Sequence, residues 1–232
     1  MNDAIRDKLI VALDLPSSAE ARALVARLGG EVSFYKIGLE LLFTGGLDLA
    51  QELKRSGKRV FLDMKLLDIG NTVERAVATA ARLGVDFLTV HGHDRKTLDA
   101  AVKGRGKAPL KLLAVTVLTS LDAADLAEQG TTLQPGELVL KRARLAHAAG
   151  FEGVIASGQE AAAVRSATGR EFLIVTPGIR LPGGAAGDQA RITTPQHALA
   201  DGADHLVVGR PINAACDPLE AARQFLSHIA QA

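Results

Sequence analysis

The sequence has no tryptophan and a single tyrosine, and aromatic residues make up only 3% of it. Single-stranded nucleic acid is held largely by stacking bases on aromatic rings, and few rings are available here. The chain also lacks an excess of either charge, since 27 Lys+Arg face 26 Asp+Glu for a formal +1. Nucleic-acid binders displace phosphate counterions with clustered cations, so both observations argue against a nucleic-acid partner. The lone cysteine, Cys216, has no partner for a disulfide within the chain and supplies no ligand cluster. That usage suits a reducing cytoplasmic setting. No apolar run approaches the ~18 residues of a membrane span. The opening MNDAIRDKLIVALDL places acidic residues ahead of a short apolar run, unlike a secretory signal. No Pro/Ser-rich linker or shift in composition divides the chain.

Present instead are short β-branched runs alternating with Ala/Leu/Arg/Glu-rich stretches from end to end. Near-continuous apolarity predicts strands buried on both faces at 8–14, 32–37, 59–64, 86–91, 110–117, 153–157, 171–176 and 204–209. Helical patterns fall between and after them at 17–28, 41–56, 72–83, 95–103, 136–149, 159–168, 194–201 and 217–230. Ser17 is placed as an N-cap, and Gly29, Gly57, Gly84, Gly150 and Gly169 stand where helices end. Eight strand–helix units in 232 residues average about 29 each, close to a minimal βα repeat. Parallel strands need such crossovers, and eight units that close on themselves form a single-domain (β/α)8 TIM barrel over 1–232. An open doubly wound sheet is the alternative. It usually carries a Gly-rich fingerprint after its first strand, where this chain reads LDLPSSAE.

Reactive groups of such barrels sit at the C-terminal ends of the strands. Those ends carry Asp14, Lys36, Asp63 with Lys65, His91, Thr119-Ser120, Ser157, Thr176-Pro177-Gly178 and Gly209-Arg210. The opposite ends begin with solvated charges such as Lys8, Arg59, Asp86 and Glu171. The sharpest segment is VFLDMKLLDIGNTV (60–73). Asp63 and Lys65, two apart on an extended chain, should face the same way, with Asp68 three residues further on. Read blandly, this is an ion pair tying a strand end to its loop. Beside Asp14 and Lys36 on neighbouring strands, it reads better as alternating charges that keep Lys65 protonated and aimed at a developing carbanion. A second signal is VTPGIRLPGGAAGDQARI (175–192), a Gly-rich loop with Arg180 and Gln189, followed by VVGRPI (207–212). Loops after the last two barrel strands commonly bind phosphate, and a loop of this composition suits a lid. His147, His197, His205 and His228 are scattered without metal-ligand spacing, so no metal is expected. His91 is placed at the barrel mouth, against ligand or neighbouring loops, and Cys216 is expected to be packed rather than reactive.

Taken together, ALDL (12–15), KIGLEL (36–41), FLDMKLLDIGNTV (61–73), AVTVLTS (114–120), VTPGIR (175–180), GDQAR (187–191) and VVGRPI (207–212) resemble the orotidine 5′-phosphate decarboxylase family in its shorter bacterial form. The resemblance implies a cofactor-free decarboxylation of orotidine 5′-monophosphate to UMP, with Lys65 protonating C6 inside an array of Lys36, Asp63 and Asp68. It implies Asp14 and Lys36 on the ribose, Thr119 and Ser120 at the pyrimidine edge, Arg180, Gln189, Gly209 and Arg210 about the 5′-phosphate, and Pro177 as a further substrate contact. It further implies a homodimer whose active sites are shared, with Asp68, Ile69 and Thr72 reaching the neighbouring chain's site. Two positions depart from the common pattern: Leu67 stands where His or a small polar residue is frequent, and Gly70 where Pro is. The nearest alternative is a sister activity, a Mg2+-dependent sugar-phosphate decarboxylase or aldolase sharing D-x-K-x-x-D. There a Glu near the second strand end meets the metal, whereas Lys36 would repel it here. A non-catalytic phosphate-ligand sensor on a barrel scaffold is the remaining reading.

Overall fold

The computed structural model describes residues 2–184 and 191–232. Eight parallel strands close into a barrel in sequence order. They are β1 (Leu9–Ala12), β2 (Phe34–Ile37), β3 (Arg59–Leu66), β4 (Phe87–His91), β5 (Lys111–Val115), β6 (Gly153–Ile155), β7 (Leu173–Thr176) and β8 (His205–Val208). All eight strands expected from the apolar runs are present, and β1 pairs with both β2 and β8 to complete the ring.

Alternation along each strand splits the apolar residues into two sets. One set fills the barrel interior: Ile10, Ala12, Phe34, Phe61, Phe87, Leu113, Val175 and Val207. The other set, with Leu9, Val11, Tyr35, Val60, Leu62 and Leu88 among it, packs outward against the helices. Burial on both faces is why the strands read as continuous apolar runs. At the N-terminal end of the barrel Phe34 and Phe87 pack edge-to-face, with ring centroids 5.0 Å apart. The Arg59 guanidinium lies 4.1 Å from the Phe34 ring centroid, and His205 packs edge-on against both rings.

The helices follow the expected caps. Ser17 accepts the Glu20 amide hydrogen at 3.2 Å and opens the helix Ser18–Leu28. The long helices Gly70–Arg82, Arg95–Arg105, Pro135–Ala149, Gly158–Thr168 and Pro218–Ala230 wrap the barrel. The expected helix over 41–56 is broken: a turn at Leu39–Leu41 gives way, and the regular helix begins at Leu47 and ends at Arg55. The break is steric and conformational. Gly45 has φ 95°, and a Cβ on Gly46 would lie 2.7 Å from the Leu41 carbonyl oxygen. Short helices at Asp3–Arg6, Ala123–Glu128 and Arg210–Asn213 lie outside the expected set. Cys216, expected to be packed, is exposed, because it precedes the last helix in the bend that leads into Pro218. Among the described residues no helix is long and apolar enough to cross a membrane.

Candidate active site

The C-terminal rim of the barrel encloses a cavity of about 640 Å³. Ala12, Phe61, Val115, Ile155 and Val207 give it an apolar floor, while Asp14, Lys36, Asp63 and Lys65 line it with charge. These four side chains form a continuous chain of ion pairs. The Lys36 ammonium lies 2.9 Å from Asp14 Oδ1 and 3.4 Å from Asp63 Oδ2. Asp63 Oδ2 also meets the Lys65 ammonium at 2.8 Å. The outer members, Asp14 and Lys65, open toward solvent, and the inner pair, Lys36 and Asp63, is nearly buried.

Burial alone would strip both inner groups of charge, since a low-dielectric site disfavours the ionised form. For Lys36 that penalty is outweighed by the Asp63 and Asp14 carboxylates, which hold the ammonium above the usual lysine range. For Asp63 it is outweighed by Lys36 and Lys65 and by hydrogen bonds from Lys65 and Thr89, which hold the carboxyl below its ordinary value. The inner pair, Lys36 and Asp63, is therefore ionised at neutral pH.

β3 does not present Asp63 and Lys65 as a plain extended strand would. Its register against β4 runs Phe61↔Phe87 and Leu62↔Leu88, then jumps to Leu66↔Val90. Lys65 sits in this bulge with φ 48°. The side chains still meet, but because the bulge folds Lys65 back toward Asp63 rather than because alternation aligns them.

Room for the array comes from Gly38, which the sequence reading did not single out. A Cβ there would lie 2.7 Å from Asp14 Oδ1 and 3.0 Å from Lys36 Nζ. Asn213 was also missed; it lines the cavity and donates to the Ala12 carbonyl at 2.7 Å, tying the turn after β8 to the end of β1. A mid-strand threonine, Thr89, touches Asp63 and Lys65 from β4. An inward-facing hydroxyl in the apolar run FLTVH was the one signal that could have marked it.

The remaining wall is built by the loops after β5, β7 and β8. Thr119, Ser120, Pro177, Arg180, Gly209 and Arg210 all line the cavity. The stems of the loop after β7 are joined: the Arg180 amide donates to the Thr193 carbonyl at 2.9 Å and the Thr193 amide to Gly178 at 3.2 Å. Arg191 anchors the far stem. It pairs with the buried Glu160 at 2.5 Å and donates to the Leu118 carbonyl at 2.9 Å, next to Thr119. Gln189 lies outside the described residues. Two guanidinium groups on one wall suit an anionic ligand group, since Arg grips phosphate oxygens bidentately.

Three expected site residues do not line this cavity. Asp68 is exposed and its Oδ1 accepts the Ile69 amide hydrogen at 2.6 Å. Ile69 is 74% exposed, and Thr72 stands exposed in the first turn of the helix Gly70–Arg82. His91 does not line the cavity either. It stacks on His93 with ring centroids 4.8 Å apart, and burial, the neighbouring His93 and Arg142 push its pKa down to about 4.

Comparison with known proteins adds four findings. A family model described as "Orotidine 5′-phosphate decarboxylase / HUMPS family" matches residues 7–225. The orotidine 5′-phosphate decarboxylase of Rhodopseudomonas palustris (strain BisB5) is 53% identical over 229 residues, which are 99% of this chain and 97% of the relative. That of Methylorubrum populi is 55% identical over 224 residues, 97% of this chain and 96% of the relative. The crystal structure of orotidine 5′-phosphate decarboxylase from Lactobacillus acidophilus superposes with a TM-score of 0.84 at 37% identity, covering 95% of this chain and 98% of that one.

Proposed function

As the chain belongs to the orotidine 5′-phosphate decarboxylase / HUMPS family, we propose that it converts orotidine 5′-monophosphate to UMP and CO2 in pyrimidine biosynthesis, acting in the cytoplasm as one catalytic barrel without metal or organic cofactor. The observation that carries this reading is the Asp14–Lys36–Asp63–Lys65 array lining the cavity. In the reaction the C6–carboxylate bond breaks heterolytically and its electron pair stays on C6. The Lys65 ammonium gives C6 a proton, its N–H bond breaking as the C–H bond forms, and the resulting amine is reprotonated from solvent.

Magnitudes divide the work. A carboxylate held ~4 Å from the substrate carboxylate raises the ground state by about 4 kcal/mol at an effective dielectric near 20. Enzymes lower barriers by roughly 8–23 kcal/mol, so repulsion from Asp63 leaves most of the reduction to other terms. The preorganised Lys65 ammonium, facing the new negative charge, supplies a large share. Phosphate binding by Arg180 and Arg210, with Gly209 and Gln189, supplies remote binding energy for closing the site, and Pro177 is a further substrate contact. Asp14 and Lys36 hold the ribose hydroxyls, and Thr119 and Ser120 meet the pyrimidine edge.

Asp68, Ile69 and Thr72 fit this scheme in a homodimer with shared sites. They stand on the connection after β3, beside exposed apolar side chains on the adjoining connection after β2, of which Phe43 is 83% exposed. A second chain covering Leu39, Phe43, Leu47, Leu67 and Ile69 removes this apolar surface from water and receives Asp68 into its own array.

A Mg2+-dependent sugar-phosphate reaction is disfavoured by Lys36, whose ammonium fills the space between the two carboxylates where a divalent cation would need to sit. The test is loss of orotidylate absorbance on adding purified protein, with and without EDTA. Turnover that survives EDTA supports the reading; no turnover on orotidine 5′-monophosphate, or turnover abolished by EDTA, rejects it.

A further inference from the structure

Lys65 is the one non-glycine residue with positive φ among the described residues, at 48°. That region is unfavourable for a long side chain, so the surrounding structure must hold it there. The bulge in β3 deprives the Lys65 amide of a regular ladder partner: on β3 the register advances from Leu62 to Leu66 while β4 advances only from Leu88 to Val90. Between those two β4 positions stands Thr89, fully buried. Its Oγ1 accepts the Lys65 amide hydrogen at 2.9 Å and donates its own proton to Asp63 Oδ1 at 3.0 Å. With Oδ1 held in this way, Oδ2 is turned to both ammonium groups, Lys65 at 2.8 Å and Lys36 at 3.4 Å.

One hydroxyl therefore does two tasks, and its chemistry leaves no alternative. A methyl or methylene in its place would leave a buried N–H and a buried carboxylate oxygen unpaired. A hydroxyl can accept from the amide through a lone pair only if its single proton goes elsewhere, and the carboxylate is the acceptor at hand. Threonine suits the task because branching at Cβ restricts χ1 and keeps the oxygen in place.

We propose that Thr89 is the positioning residue of the site, holding Lys65 in its left-handed backbone and aiming the Asp63 carboxylate so that the Lys65 ammonium points at the reacting carbon. This rests on the decarboxylase reading for its kinetic consequence and on geometry alone for its structural one. The test compares the wild-type chain with Thr89→Val, which keeps the shape and removes the hydroxyl, and with Thr89→Ser, which keeps the hydroxyl. Rates on orotidine 5′-monophosphate, affinity for UMP and hydrogen exchange at the Lys65 amide are measured. Misplacing a reacting group by about 1 Å costs on the order of 100-fold, so Thr89→Val should lower kcat about that much. KM and UMP affinity should stay within about threefold of wild type, because ground-state contacts are not removed. Thr89→Ser should restore most of kcat, and only Thr89→Val should speed Lys65 amide exchange. Unchanged kcat in Thr89→Val overturns the proposal, as does an equal loss in Thr89→Ser. If Thr89→Val does not fold, wild-type exchange still decides: a Lys65 amide that exchanges as freely as those of exposed loops refutes the hydrogen bond. If the wild type does not turn over substrate, the decarboxylase reading fails while the amide measurement still tests Thr89.

Discussion

Removing the central cation of the array is the perturbation with the most calculable outcome. Lys36→Met keeps the length and apolar stem of the side chain and deletes the ammonium that lies 3.4 Å from Asp63 and 2.9 Å from Asp14. At an effective dielectric near 20, the attraction to Asp63 at that separation is about 5 kcal/mol before costs. Asp14 is half exposed, so water screens much of its share. Against the gain stands the cost of burying the ammonium, several kcal/mol, and the variant no longer bears it. What it does bear is an Asp63 carboxylate left with Lys65 and Thr89 alone, and breaking a buried pair from one side costs about 3 kcal/mol or more. The assay is a double-mutant cycle by urea unfolding at pH 7 with Lys36→Met, Asp63→Asn and both together. The double variant removes both charges and should recover part of the loss, giving a coupling energy of about 2 kcal/mol. Protonation of Asp63 supplies a second check. Its folded pKa is depressed below 3.8 in the wild type, so its contribution is present above that value and lost as pH falls through the folded pKa. With Lys36 gone the depression is smaller, and the stability gap between wild type and variant should narrow below about pH 4. Additive single-variant losses, with coupling below about 0.5 kcal/mol, would refute the claim that these two charges depend on each other.

Two further outcomes follow from the same geometry. His205, packed edge-on against Phe34 and Phe87, is held neutral by burial with its pKa pushed from 6.5 down to about 4. The unfolded chain binds the proton first as pH falls, so stability is full above about 6.5 and is lost toward pH 4, by up to about 3 kcal/mol from this group. His205→Phe should gain on the wild type by up to that amount across the window; parallel pH–stability curves for the two proteins would show that His205 titrates normally. Gly38→Ala puts a methyl against the side-chain ends, not the backbone, of Asp14 and Lys36, so the fold should persist while KM for orotidine 5′-monophosphate rises roughly tenfold, the worth of about one hydrogen bond. Unaltered KM would mean that the two side chains do not need their present positions to hold substrate.

The barrel was legible because its information is carried by strand-length apolar runs, whose two-sided burial the closed sheet bears out. Ser17 and the terminal glycines read true for the same local reason: caps depend on a few neighbouring atoms. Features set by tertiary fit were not legible. The kink at Thr44–Gly46 depends on the Leu41 carbonyl pressing where a Cβ would go, and a helical apolar pattern does not record that contact. Strand alternation pairs Asp63 with Lys65, but the backbone turns left-handed in a bulge at Lys65 and a β4 hydroxyl completes the link. Thr89 stayed hidden because a lone threonine in a strand usually reflects β-propensity. Asp14, Lys36, Asp63, Lys65, Thr119, Ser120, Pro177, Arg180, Gly209 and Arg210 do share one cavity. Asp68, Ile69 and Thr72, expected to reach the neighbouring chain's site, stand exposed on the connection after β3.

The most direct measurement concerns Lys65 itself. Its side chain is 31% exposed, and Asp63 remains paired with Lys36 when it is removed, so Lys65→Ala should fold and bind UMP much as the wild type does. Losing both the proton and the charge that meets the carbanion should reduce turnover of orotidine 5′-monophosphate by at least about 10⁴-fold. A folded, UMP-binding Lys65→Ala protein that keeps turnover within about tenfold of wild type would contradict the assignment of Lys65 as the proton donor.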